Sequence, residues 1–552
     1  MEKTNSIGTP RSIRGHRKDG GFCDRKQLHQ WKNHFRRWRV IHLINVERET
    51  YTYNLGIAFE KIANTYSSKT AFRFADGSEY SFQEIDHLSN QLGHYLFSLG
   101  LQKGDVIAII NEKSLRSLCL MLACIKTGVI YTNLDANSPM SRLNKIVDRC
   151  QPKKIFSDVA TLTDELERID LVVAIDKIPL DNFHTLTIPS QFDGNTPAYI
   201  MFTSGSTGFP KGAVMSHSNL LHFIQWGKTT FQVTPEDTFT NANPIYFDNS
   251  VFDFYVSLFN GAAVVPLSHS LVKNAKELLA AIEETKCTFW FSVPSLLVYL
   301  MTTKVLTKDR FPNIKTISFG GEGFPKNKLK QLFEMFAHRM NIYNVYGPTE
   351  CTCICSAHLV QESDFENMNE LTTLGYIAPN FSYHILPQNR ENEALGELCL
   401  SGPCVGLGYY NDPERTATAF VPHNNAPYLT KMYKTGDLVE VNEKGQLFFK
   451  GRVDNQIKHM GYRIELEEIE AAYASLPEVD EVGVVYQKLT AELGQIVAFI
   501  QINDAAQSAE NVLEKVKNIV PAYMVPRVQK IMPALPKNQN GKIDRVQLKN
   551  LL

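Results

Sequence analysis

Residues 203–212 read Thr203-Ser204-Gly205-Ser206-Thr207-Gly208-Phe209-Pro210-Lys211-Gly212, three glycines, four hydroxyls and one lysine within ten residues. A loop of this composition offers backbone N–H groups, hydroxyls and a cation, the chemistry that holds a polyphosphate. The bland alternative is a surface turn with a stray lysine. A Walker-type loop fails on spacing, because Pro210 stands where that motif requires glycine before Lys-Ser/Thr. Cys351, Cys353 and Cys355 alternate and could share one strand face. Structural zinc sites prefer about two to four residues between ligands and need a fourth ligand, so packing or pocket lining is the expectation for these thiols.

A phosphate loop must be delivered by regular structure, and the run Ala198 to Phe202 before it reads as a strand. From about Tyr53 to Val453 helix-like segments alternate with short apolar runs, which implies α/β layers with mostly parallel sheets. Ser81-Phe82-Gln83-Glu84 is a capping-box pattern. After it Ile85, Leu88, Leu92, Tyr95, Leu96 and Leu99 form one apolar stripe, stopped by Gly100. Asp105 to Ile110 reads as a buried strand, and Asp76-Gly77 as a hairpin turn. Near Gly451 the pattern changes to the polar GRVDNQIKHMGYR. Beyond it a helix-like run begins at Ile464, followed by strands at Glu481–Tyr486 and Gln495–Ile502 and a helix-like stretch at Ala509–Ile519. A loop carrying Pro521, Pro526, Pro533 and Pro536 comes next. The expected division is a basic, disordered tail at 1–45, a large domain at 46–453 and a small α+β domain at 454–552, hinged to the large one.

Composition narrows the function classes. The chain has 552 residues, 43% hydrophobic and 21% charged, which suits a large packed core and excludes wholesale disorder. With 57 basic and 58 acidic side chains, no electrostatic reason points to nucleic acid. The first 40 residues carry 11 basic and 3 acidic groups, leaving 46 and 55 for the rest. This stretch lacks the apolar core of a secretory signal. A disordered tail, an organelle transit peptide and a weak anionic-surface anchor all stay open for it. Ten cysteines are too few for a disulfide scaffold. No apolar run reaches the ~18 residues of a membrane span. A soluble, cytoplasmic protein in a reducing compartment is expected.

Seven motifs in register carry a resemblance: GVIYTNLDANSP at 128–139, the hydroxyl-glycine loop, NVYGPTE at 344–350, GELCLSGPCVGLGYYNDPERT at 396–416, YKTGDL at 433–438, GRVDNQIKHMGYRIE at 451–465 and LPKNQNGKIDR at 535–545. Together they resemble the adenylate-forming superfamily, specifically the amino-acid adenylation domains of nonribosomal peptide synthetases and free-standing relatives such as the D-alanyl and prolyl carrier protein ligases. The resemblance spans residues 53 to 550. It implies an α/β fold, with a large N-terminal domain of layered α/β subdomains and a small mobile α+β C-terminal domain. It also implies a two-step reaction with ATP and Mg²⁺: a carboxylate attacks the α-phosphorus, and a phosphopantetheine thiol then captures the acyl group. The first step brings one anion against a polyphosphate bearing about four negative charges, which cations and dipoles must offset.

The resemblance also implies roles. Thr203, Ser204, Gly205, Ser206, Thr207, Gly208 and Lys211 would hold phosphates. Lys542 would bridge the substrate carboxylate and ATP, Thr349 would bond the α-phosphate, and Glu350 would hold Mg²⁺. Asp437 and Arg452 would reach the ribose, while Tyr346 stacks on adenine with Gly321, Glu322 and Gly323 along its edge. Asp454 falls at the pivot about which the small domain rotates, withdrawing Lys542 and bringing the Gly461 loop to the thiol tunnel.

In amino-acid-activating members an Asp at position 248 pairs with the α-ammonium. A fatty or aryl acid offers no such partner, and an unpaired buried carboxylate is costly. The remaining pocket would be Asn249, Phe252, Ser292, Ser318, Gly320, Val345, Cys353 and Ile354. None carries a counter-ion, and Phe252 and Val345 would narrow the space, so a small or medium uncharged amino acid is expected. D-alanine is open, although Gly320 replaces the usual cysteine of its ligases. The chain stops just after the NGK segment, so a stand-alone enzyme with a separate carrier protein is the expectation. The alternatives are an acyl-CoA synthetase using free CoA and a non-catalytic adenylate-binding protein.

Overall fold

Local chemistry sets the elements that frame the site. Ser81 caps the helix Phe82–Ser98 in a complete capping box, and Ile85, Leu92 and Leu96 bury its apolar stripe. The helix Leu115–Thr127 starts at Ser114 and ends at Gly128, where φ is 77°. A Cβ at Gly128 would lie 2.3 Å from the Phe192 ring, so glycine is required for conformation and for space. The strands Val106–Ile110 and Ile130–Leu134 are buried along their whole length, as parallel strands covered on both faces must be. The computed structural model describes residues 52–552 apart from 160–164, 181–184, 189–191, 389–393, 424–429, 491–492, 504–507 and 539–540. The basic first 40 residues and Asn540 therefore lie outside the described residues.

Residues Tyr53–Leu552 form one unit. Two large sheets, mostly parallel with antiparallel edges, make up its bulk. The seven-stranded sheet runs Gly408–Tyr409, Lys211–Ser216, Pro197–Thr203, Ile130–Leu134, Val106–Ile110, Lys154–Ser157 and Val172–Ala174. The eight-stranded sheet places Thr316–Gly320 between Phe289–Ser292 and Asn341–Tyr346, in parallel register with Gly320 opposite Val345. A third, antiparallel sheet pairs Lys431–Val441 with Leu395–Ser401 and Leu447–Arg452. Ligands of α/β sheets bind outside the carboxyl ends of strands. Here Pro197–Thr203, Thr316–Gly320 and Asn341–Tyr346 end in the 204–210, 321–323 and 347–350 segments.

Beyond Arg452 the chain builds a lid with its own apolar cluster around Ile469, Tyr473, Val484 and Ile500. It contains the hairpin Gln456–His459/Tyr462–Glu465, the helices Leu466–Ala474, Ala509–Lys517 and Arg545–Asn550, and a three-stranded sheet. Two elements differ from the sequence expectation. Ile464 belongs to a strand, and the helix starts at Leu466. Met460 and Gly461 adopt φ 53° and 81°, the pair of positive values that closes a tight hairpin, and this commits residues 462–465 to extended backbone. Val528–Ile531 forms a strand amid the prolines, parallel to Gly494–Ile502, because its run is free of proline. Among the described residues no helix is long and apolar enough to cross a membrane.

Candidate active site

The 204–210 loop is a hairpin tip, since Thr203 and Lys211 pair across the antiparallel strands that deliver it. Thr203, Ser204 and Gly205 are buried, whereas Ser206 and Thr207 are exposed. Gly205 admits no side chain, because a Cβ would stand 2.0 Å from the Phe209 carbonyl oxygen. Gly208 adopts φ 77°. Arg415 braces the tip by donating to Thr207 Oγ1 and the Phe209 carbonyl. Lys145 donates to the Gly208 carbonyl at 3.3 Å.

Lys211 points inward to a charged centre around Glu350. Fully buried Glu350 accepts the Tyr409 hydroxyl at 2.7 Å and an Arg463 N–H at 2.8 Å, and Lys211 Nζ lies 4.0 Å away. Burial alone would push the Glu350 carboxyl up, but Arg463 and Lys211, with the Arg463 and Tyr409 hydrogen bonds, hold it well below the usual carboxylate range. Beside it the Thr349 hydroxyl donates to Asp248 Oδ2 at 2.5 Å. Desolvation raises the Asp248 carboxyl, and the Thr349 bond and the charge of Arg463 pull it back only in part. Both Glu350 oxygens are thus engaged by lid and sheet groups, with a second cation close by. Among the described residues no cluster of three or more metal-ligating side chains exists. In this arrangement the expected Mg²⁺ ligand does not fit the ion, and Arg463 stands where a cation would have to bind.

Next to this centre lies a pocket lined by Gly321, Glu322, Gly323, Tyr346, Leu371 and Lys458 among others. Tyr346 donates its hydroxyl to Asp437 Oδ2 at 2.6 Å, and Arg452 pairs with Asp437 Oδ1. A carboxylate has further lone pairs, so Asp437 can still accept from ribose. Arg452 also donates from Nε and Nη2 to the expected pivot residue Asp454, at 2.6 and 2.7 Å. Lys458 Nζ stands 5.5 Å from the Tyr346 ring centroid. Glu322 does more than edge the pocket: one oxygen accepts the Ser295 N–H at 2.8 Å and the other the Gly461 N–H at 2.9 Å, which fastens the lid hairpin to the large lobe.

Asp248 sits just before a short helix, Asn249–Val251, that passes into a π-helical turn, Phe252–Val256. Such turns recur at functional sites. Gly320 abuts Val345, where a Cβ would lie 2.5 Å from the Val345 carbonyl oxygen. Cys353, with φ 74°, and Ile354 are buried. Ser292 accepts from Trp290 Nε1, and Ser318 keeps a buried hydroxyl without a partner. The Phe252 ring is fully buried between Phe231, Phe239, Phe289 and Phe291 at centroid distances of 5.1–5.9 Å.

Three residues expected to meet ligands have other surroundings in this arrangement. Thr349 bonds Asp248 instead of standing free for an α-phosphate. Glu350 is paired with Arg463 instead of a metal. Lys542 is exposed, on a turn where the Asn538 side chain accepts its backbone N–H at 3.1 Å, and no hydrogen bond or ion pair joins it to the cluster among the described residues. The lid turns its 456–465 hairpin to the site in its place. Motif reading assigned no role to Arg463, Lys458 or Tyr409. Lys458 and Arg463 stand opposite each other across the hairpin.

The AMP-binding enzyme family matches residues 59–410, and the AMP-binding enzyme C-terminal domain matches residues 468–542. The L-proline--[L-prolyl-carrier protein] ligase of Streptomyces coelicolor is 31% identical over 81% of this chain and 88% of its own. The D-alanine--D-alanyl carrier protein ligase of Bacillus anthracis is 30% identical over 89% of this chain and 97% of its own. Among solved structures, an o-succinylbenzoate CoA synthetase variant from Bacillus subtilis superposes with a TM-score of 0.79 at 22% identity, covering 89% of this chain and 98% of that one. An artificially fused adenylation–PCP di-domain from Klebsiella oxytoca gives 0.75 at 21%, covering 87% and 94%. At these identities the structural likeness speaks to fold alone.

Proposed function

The chain belongs to the AMP-binding enzymes, and on that premise we propose that this ligase activates an amino acid with ATP and passes it to the phosphopantetheine thiol of a carrier protein. In the first step a carboxylate oxygen attacks the α-phosphorus, the bond to the β-phosphate oxygen breaks, and pyrophosphate leaves. In the second the thiol sulfur attacks the acyl carbon and AMP leaves. The 203–211 loop and Lys211 hold the polyphosphate, Asp437 and Arg452 hold the ribose, and Tyr346 with Gly321 and Gly323 holds the adenine. Mg²⁺ belongs to the proposal as the companion of ATP, held through Glu350 only after Arg463 withdraws.

Asp248 carries the reading. A desolvated carboxylate beside Thr349 and the charged centre costs free energy that a bound α-ammonium offsets, a charge-assisted contact of about 1.5–3 kcal/mol. The other pocket residues, Asn249, Ser292, Ser318, Gly320, Val345, Cys353 and Ile354, bring no charge, so the side chain is small or medium and uncharged. Lys542 acts in the first step, in a second lid arrangement reached by rotation about Asp454. In the arrangement described here the Gly461 hairpin is docked, which suits thiol transfer. Nine described cysteines are free and buried, in keeping with a reducing, cytoplasmic setting. The test is ATP–pyrophosphate exchange against L- and D-amino acids, aryl acids and fatty acids. Exchange with small uncharged amino acids supports the reading, and turnover of plain carboxylic acids alone replaces it with an acyl-CoA synthetase.

A further inference from the structure

The lid presses on the phosphate loop with carboxylates. Buried Glu468, on the first turn of the helix Leu466–Ala474, pairs through one oxygen with Arg142, and through the other accepts the Gly205 N–H at 3.2 Å. Glu465 takes Lys211 Nζ at 3.4 Å. Its backbone N–H donates to Ser204 Oγ at 3.2 Å, and that hydroxyl donates to the Arg463 carbonyl at 2.8 Å. The Gly205 N–H, the Ser204 hydroxyl and the Lys211 ammonium are groups by which the loop would grip an anion. All three are engaged by the lid, two of them by carboxylates. A Cβ at Gly208 would stand 2.6 Å from Ala471 Cβ on the same lid helix, so the helix packs closely on the loop at that point.

Resting on the phosphate-loop reading above, we propose that Glu465 and Glu468 are internal stand-ins for the β- and γ-phosphates of ATP. They are positioning residues: they fasten the lid for thiol transfer, and they do so only once pyrophosphate has left the loop. One set of donors cannot serve two anions. Pyrophosphate binding and lid docking therefore compete, and by linkage whatever weakens docking strengthens pyrophosphate binding. If the docked arrangement holds about nine-tenths of the molecules, pyrophosphate binds ~10-fold more weakly than its intrinsic affinity, and undocking variants recover that factor.

The test is equilibrium binding of inorganic pyrophosphate to the full chain, by calorimetry, for wild type, Glu468→Gln, Glu465→Gln and Arg142→Met. All three variants are expected to bind it several-fold more tightly, up to about 10-fold. Arg142→Met is decisive. Removing a cation near the loop weakens anion binding by Coulomb's law alone, whereas freeing Glu468 from its anchor tightens it under the proposal. A misfolded variant does not gain affinity. Weaker binding by Arg142→Met, or unchanged binding by Glu468→Gln, overturns the proposal while leaving the ligase reading intact. Pyrophosphate that binds neither wild type nor any variant overturns the phosphate-loop reading and this proposal with it.

Discussion

Asp248 shows at the scale of one residue how function draws on stability. Its carboxyl is raised by desolvation above the ordinary value of 3.8, so the folded protein without substrate holds a charge it would rather not carry. With the native pKa above the unfolded one, the native state binds more protons between the two values. Stability therefore falls as pH rises from the ordinary Asp value through the raised one, and stays lower above it. Asp248→Asn keeps an acceptor for Thr349 and should raise the melting midpoint at pH 7 on the order of 1 °C, with no gain near pH 3, measured by scanning fluorimetry across pH. Asp248→Ala should lower kcat/KM for every amino acid by roughly 10- to 150-fold, the equivalent of about 1.5–3 kcal/mol. Unchanged steady-state adenylation would remove the ammonium assignment. The family resemblance pointed to Asp248, Glu350 and Asp437. It did not reveal that Thr349 bonds Asp248 or that Arg463 and Tyr409 bond Glu350 in this arrangement, because those pairings join residues 59 to 113 positions apart.

At the scale of elements, the legible features were those with local causes. The Ser81 capping box, the Gly100 stop and the strand before the 204–210 loop follow from side-chain chemistry within a few residues. The π-helical turn after Asp248 was not legible, since it answers to packing around the Phe252 ring rather than to periodicity. The polar 456–465 segment folds as a hairpin that carries Lys458 and Arg463 into the site and turns at Gly461. There φ is 81°, and a Cβ would stand 2.7 Å from Val293 Cγ1. Gly461→Leu should therefore keep the hairpin from seating. The ratio of single-turnover thiol transfer to ATP–pyrophosphate exchange should fall by about 10²-fold, the cost of a small misplacement of reacting groups. An unaltered ratio would show that hairpin docking has no part in transfer.

At the scale of the molecule, two lobes share one site. The large lobe brings the phosphate loop, the nucleotide pocket and Asp248. The lid brings its 456–465 hairpin and, under the proposed function, brings Lys542 by rotation. The overall architecture could be read from the order of the motifs, but the lid's arrangement could not, because a sequence that serves two arrangements encodes the contacts of both. Lys542 stands exposed while Glu465, Glu468 and Arg463 hold the cleft, and under the proposed function the two half-reactions call on different faces of the lid. The most direct measurement compares both half-reactions in Lys542→Ala: ATP–pyrophosphate exchange, and thiol transfer from chemically supplied aminoacyl-adenylate. Exchange should collapse by ~10²-fold or more, the usual cost of losing a charge-stabilising group, with transfer persisting near the wild-type rate. Equal losses in both, or exchange near normal, would contradict the account.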